Sequence, residues 1–142
     1  MTYEFVTTAM IQAPPDRVWS VLTDAGNYAA WNPEIVGLAG RMALGERLKA
    51  RVKVGSGAIR PVTMRITAFD PSSRRMEWTG GLPLGLFTGL RIFTVDSDAG
   101  GCLFRMIVRM SGPLAGAMVR SVGDRQKEID GFSLALKAYV DG

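Results

Sequence analysis

Between Arg47 and Met110 the chain repeats one pattern, apolar at every second position, in one short segment after another. Leu48, Ala50, Val52 and Val54 alternate with Arg47, Lys49, Arg51 and Lys53. Val62, Met64 and Ile66 alternate with Thr63, Arg65 and Thr67 in the next segment, and Met76 and Trp78 with Arg75, Glu77 and Thr79 in the one after. Leu90 to Val95 and Cys102 to Met110 complete the run, the last with Phe104, Met106, Val108 and Met110 on one face. A period of two with one polar face is the signature of antiparallel strands that cover a core on one side and meet water on the other. Beyond Pro113 the period changes. Ala115, Met118, Val122, Ile129, Phe132, Leu136 and Tyr139 follow three-and-four spacing, which predicts one helix from about Leu114 to Val140, roughly 40 Å long. Gly123 and Gly131 lower its propensity, so a bend or a close approach is expected there.

The first third supplies the remaining elements. Tyr3 to Gln12 reads as a strand, and Pro14-Pro15-Asp16 opens a helix whose apolar face is Val18, Trp19, Val21 and Leu22. Asn27 to Trp31 is expected to form a second short helix, stopped by Asn32-Pro33, before a short strand Ile35 to Leu38. With no repeat or linker-like stretch, residues 1–142 are expected to form a single domain. The fold class is α+β: a curved antiparallel sheet of about seven strands around a long C-terminal helix, with two short helices after the first strand.

Composition removes several functions. The chain contains no histidine and a single cysteine, Cys102. An imidazole base, a Ser-His or Cys-His nucleophile, a multi-cysteine metal site and an intramolecular disulfide are therefore excluded within it. Cys102 has no neighbouring activator and is expected to be a small buried hydrophobe. The formal net charge of +4 is mild. The stripe Arg47, Lys49, Arg51, Lys53 and Arg65 has no interleaved aromatics to stack bases, so it reads as a solvated sheet face and no nucleic-acid partner is expected. MTYEFVTTAM has no basic residue ahead of an apolar core, and the apolar stretch Thr79 to Leu90 is too short to span a bilayer. A cytoplasmic location without stable membrane insertion is expected, with the oligomeric state, monomer or dimer, open.

Antiparallel connections fall alternately at the two ends of the sheet. One end receives polar turns such as DPSSR and DSDAGG. The other receives GSGAIRP, GGLPLGLFTG and SGPLAG, rich in glycine and leucine with one charge, Arg60. Leu82, Leu84, Leu86 and Phe87 in the loop Gly80 to Gly89 either cap the core or form an apolar rim around a cavity mouth.

IQAPPDRVWSVLTDAGNYAAWNP, followed later by GGLPLGLFTGLRIF, SGPLAG and FSLALKAY, resembles the SRPBCC superfamily (START-like, polyketide cyclase/dehydrase-related) along nearly the whole chain. The resemblance implies the helix-grip fold and a hydrophobic cavity between sheet and final helix. Members of the superfamily bind lipids, sterols, hormones and quinones, cyclise polyketides or assist chaperones. Relatives often have His where Arg91 stands and an acid in the strand before SGPLAG, where this chain has Val108 and Arg109; no acid/base role is carried over from those positions.

The expected function is binding of a small hydrophobic or amphipathic molecule, lipid-, polyketide- or quinone-like, for transport, sequestration or sensing, with no cofactor and no metal. A cyclase, aromatase or dehydratase acting without histidine, metal or covalent nucleophile is the alternative; a protein-interaction module using the apolar loop end is the second. The residues expected to contact ligand are Trp78, Arg91, Phe93, Phe104, Met106 and Met118. Val122, Val52, Met64, Phe87 and Trp31 complete the set; no catalytic residue is assigned. Trp78 and the methionines read equally as wall or core, and Trp31 with Asn32 as packing and capping the short helix. Arg91 stands open among three roles: a ligand anion, an internal acid, or solvent. The resemblance favours Phe93, and Arg91 with it, facing inward.

Overall fold

In a computed structural model the chain is described over residues 2–54, 57–121 and 124–141. Strand β1 (Thr2–Ile11) is followed by helix α1 (Pro15–Leu22), a 3-10 helix over Ala25–Ala30 and the short strand β2 (Ile35–Ala39). Strands β3 (Arg47–Lys53), β4 (Ile59–Asp70), β5 (Arg75–Leu82), β6 (Phe87–Asp98) and β7 (Gly101–Ser111) follow in meander. All pair antiparallel in one seven-stranded sheet, in the order β1-β7-β6-β5-β4-β3-β2. The sheet curls about the C-terminal helices, which is the expected helix-grip architecture. Alternation survives into burial: β3 buries Leu48, Ala50 and Val52 and exposes Arg47, Lys49, Arg51 and Lys53.

The C-terminal region departs from the single helix expected. It is two helices, α2 (Ala115–Ser121) and α3 (Arg125–Asp141). Asp124 caps α3: its Oδ1 accepts the Lys127 N–H at 3.1 Å, satisfying one of the donors that a new helix start leaves free. A continuous apolar period cannot reveal such a restart, because both helices bury the same side of the repeat. Gly131 lies within the unbroken α3 beside Pro33, where an added Cβ would sit at 3.8 Å, an ordinary contact rather than the close approach expected. Val122 and Gly123 lie outside the described residues.

Helix α3 drives Ile129, Phe132, Leu136 and Val140 into the sheet's concave face. Phe132 is the centre of the core: it stacks on Phe104, meets Trp31 edge-on and lies against Tyr28 and Phe93. Thr7 and Ser133, both buried, satisfy each other across the helix–sheet contact at 2.6 Å. This packing fills the half of the concavity under α3. The other half, under α2, is left for a cavity.

Candidate functional site

The cavity exists because β4 outruns β5. Their pairing begins at Met64 opposite Gly80, so 59–63 pairs with β3 but projects beyond its other neighbour. Pro61, which has no N–H to donate, sits in that half-unpaired stretch. At the facing position Gly81 adopts φ +151°, and an added Cβ would stand 2.1 Å from the Phe87 carbonyl oxygen. Only glycine permits β5 to turn off there and peel from β4. The resulting cavity of about 430 Å³ opens between the strand ends. Val52, Val54, Met64, Val108 and Met110 form its apolar walls, with Trp78, Phe87 and Met118.

The expected loop Gly80 to Gly89 is largely strand. β5 runs to Leu82, a 3-10 turn covers Pro83–Gly85, and β6 begins at Phe87. Phe87 folds into the cavity wall and Leu82 lines its rim half-exposed, whereas Leu84 and Leu86 are exposed outside it. The Leu114 N–H donates to the Leu86 carbonyl at 2.9 Å and ties the start of α2 to this turn.

Arg91 faces inward with Phe93 and Val95, directly opposite Trp78 in the sheet. Its guanidinium grips Glu34 with a forked pair, Nη1 to Oε1 at 3.0 Å and Nη2 to Oε2 at 2.5 Å. Arg125, from the first turn of α3, reaches the same carboxylate at 3.1 Å and also Glu128 at 3.2 Å. Of the three roles open to Arg91, the structure places it in an internal ion pair that also lines the cavity. Two arginines meet two glutamates, so the four formal charges cancel.

Glu34 is held by its local sequence. Asn32 Oδ1 accepts the N–H groups of Glu34 and Ile35 at 2.9 and 2.8 Å, an Asx turn that aims the next side chain inward as β2 begins. The Glu34 side chain is 1% exposed. Burial alone would raise its pKa; Arg91 first and Arg125 second outweigh that, and the carboxyl is held below its ordinary value. Burial pulls the Arg125 guanidinium down, against the Glu34 charge, and pushes the Glu128 carboxyl up despite Arg125. Burial also drives the Tyr28 phenol far above its usual range; it donates to the Leu22 carbonyl at 2.6 Å and stays protonated.

Two cavity-lining side chains carry buried donors without a partner among the described residues: Trp78 Nε1 and Arg125 Nε. A buried donor left unsatisfied costs about 1–3 kcal/mol.

Of the residues expected to contact ligand, Val52, Met64, Trp78, Phe87, Arg91 and Met118 line the cavity. Phe93, Phe104, Met106 and Trp31 do not; the side chain of Phe132 occupies the space above their half of the sheet. Met106 lies under Arg91, its sulfur 3.6 Å from Nη1. Val122 falls outside the described residues. Glu34 and Arg125 were not legible as site residues. Arg125 did leave a signal: with Ile129, Phe132 and Leu136 it occupies the inward stripe of α3 at three-and-four spacing.

A curved seven-stranded sheet gripping a C-terminal helix, with a mainly apolar cavity between them, defines a helix-grip protein of the ligand-cavity type. The chain belongs to the family described as polyketide cyclase / dehydrase and lipid transport, whose model matches residues 2–140. No curated protein matches it. Among solved structures it is similar to the Zhui aromatase/cyclase of a Streptomyces species, at TM-score 0.80 and 18% identity over 99% of this chain and 94% of that one. A START superfamily protein from Mycobacterium smegmatis superposes at TM-score 0.74 and 17% identity, covering 96% of each chain. Norcoclaurine synthase from Thalictrum flavum does so at 0.73 and 15%, over 99% of this chain and 94% of that one. At these identities the likeness establishes the fold.

Proposed function

We propose that the chain binds one small, mainly apolar molecule carrying a neutral hydrogen-bond acceptor, such as a ketone or quinone carbonyl, and holds it for transport, sequestration or sensing. The observation that carries this reading is the combination in the cavity lining: apolar walls, an indole N–H and a guanidinium N–H buried in those walls without partners among the described residues, and Arg91 and Arg125 already neutralised by Glu34 and Glu128. A carboxylate ligand set against Arg91 and Arg125 would add a second anion to a balanced network and pay its own desolvation there, since Arg60, the other cation among the described lining residues, is exposed at the mouth. A carbonyl accepts the waiting donors at no such cost. Membership of a family described by polyketide cyclisation and lipid transport supports an apolar ligand.

Native mass spectrometry of the purified chain tests for a copurified lipid-like molecule. A titration followed by tryptophan fluorescence then compares a long-chain methyl ketone with the fatty acid of equal length. The ketone is expected to bind at least about tenfold more tightly, one hydrogen bond's worth of discrimination. Val108→Phe, which fills the cavity, is expected to abolish binding while the protein still melts cooperatively. Equal affinity for acid and ketone, or binding that survives the filled cavity, overturns the reading.

A further inference from the structure

The outside of the cavity mouth has a chemistry of its own. Leu84, at the tip of the β5–β6 turn, is 97% exposed, and it adopts φ 61° and ψ 26°. That left-handed conformation is uncommon for a bulky side chain and would suit asparagine or glycine better. A leucine that fills no pocket and strains its own backbone gains nothing from the fold. Leu82 and Leu86 flanking it, Leu114 just before α2, and Ile59 and Val62 on the projecting start of β4 are also exposed. Gly112 lets two of these connections meet: at φ +103°, its added Cβ would stand 2.7 Å from the Leu86 carbonyl oxygen.

The charges are sorted as well. Residues 47–69, 78–95 and 99–121, which build the mouth, contain no Asp or Glu. Arg60 is exposed on β4 between Ile59 and Val62, Arg120 is exposed on α2 with its guanidinium beside Gly116, and Arg51, Lys53 and Arg65 are exposed on β3 and β4 just behind. Asp70, Asp96 and Asp98 lie at strand ends on the opposite side of the sheet, and Asp124 caps α3. A protruding apolar tip flanked by cations, with the nearby acid Glu4 already paired to Arg109, complements a surface that is negative outside and apolar a few ångströms beneath.

We propose that the mouth docks peripherally on an anionic lipid bilayer, the leucines entering the headgroup–acyl boundary and the arginines pairing with lipid phosphates. The surface exists whatever the cavity holds. If the cavity reading also stands, docking sets the opening against the acyl region, so an apolar ligand passes between them without crossing water.

Cosedimentation of the full chain with vesicles tests this, using phosphatidylcholine alone and an equal mixture of phosphatidylcholine and phosphatidylglycerol. Binding to the mixed vesicles is expected, falling at least about tenfold with phosphatidylcholine alone or at raised salt. Arg60→Ala combined with Arg120→Ala should weaken it roughly 30-fold, and Leu84→Asn roughly tenfold. Leu84→Asn should melt no lower than the parent, since asparagine tolerates the backbone at that position. No sedimentation with mixed vesicles at low salt, or a Leu84→Asn variant that binds as the parent does, overturns the proposal. So does a leucine-dependent dimer that ignores vesicles. Ketone titration in vesicle-free buffer reports on the cavity alone, so the two readings fail separately.

Discussion

Replacing Glu34 with glutamine removes one charge and almost no volume from the buried network. Its side chain is 1% exposed and accepts from both Arg91 and Arg125, so the variant leaves two guanidiniums facing each other with Glu128 alone for compensation. Removing one partner of a buried ion pair typically costs about 3–5 kcal/mol, because the remaining charge stays desolvated. For a domain of this length each kcal/mol moves the midpoint by roughly 2–4 °C, so Glu34→Gln should melt about 6–20 °C lower in calorimetry. The pH dependence has a definite sign. Glu34 has a depressed pKa in the folded protein, so its stabilisation is present above the unfolded value of about 4.3 and fades as pH falls through the folded one. The gap between parent and variant should therefore hold at neutral pH and close only in acid, below about pH 4. Glu128, whose pKa burial raises, acts in the opposite sense: its proton stabilises the fold in acid, and that contribution is lost as pH rises through its folded value. Combining Glu34→Gln with Arg91→Met should cost less than the sum of the two single changes. A loss below about 1 kcal/mol for Glu34→Gln, or a gap that ignores pH, would refute the account of the network.

Trp78→Phe keeps the ring and deletes the unpartnered N–H; ketone affinity should drop about 2- to 10-fold in a fluorescence or calorimetric titration, with fatty-acid affinity unchanged. Phe132→Ala should cost about 3–5 kcal/mol in urea unfolding, since the ring touches Phe104, Trp31, Tyr28 and Phe93 at once. Gly81→Ala should destabilise by about 1–3 kcal/mol or more and close the mouth by displacing β6, seen as weaker ketone binding in the fraction that stays folded.

The sheet was readable from sequence because a period of two survives burial on one face, and β3 shows it without exception. The cavity's place was harder to read. Inward alternation on β6 and β7 marks Phe93, Phe104 and Met106 as concave-face residues, yet it cannot say which stretch of that face α3 covers. That depends on Phe132 and on the restart at Asp124, a tertiary fact. The ion network was illegible for a different reason. Arg91 and Glu34 are 57 residues apart, one on β6 and the other just before β2, at different places in the sheet order. Nothing in local periodicity links two such positions, and Glu34 shows only as one acid beside the apolar start of β2. The resemblance supplied the inward facing of Arg91 that alternation left undecided.

The network also decides which chemistry the cavity can host. Its ionisable lining residues among those described are Arg60, Arg91 and Arg125. Guanidiniums stay protonated at any ordinary pH, so they donate but do not accept a proton. Glu34, the acid they hold, is kept ionised and fully engaged by those same donors. Tyr28 is locked onto the Leu22 carbonyl and sits outside the lining. The described residues thus supply hydrogen bonds to an oxygen that gains negative charge, and they supply no side chain that takes a proton from carbon. On the proposed reading, a carbonyl compound held there would be polarised and oriented, and carriage or sensing would need no more. Conversion would have to be one in which the substrate's own groups or water move the protons, with the cavity contributing shape and the donors of Trp78, Arg91 and Arg125.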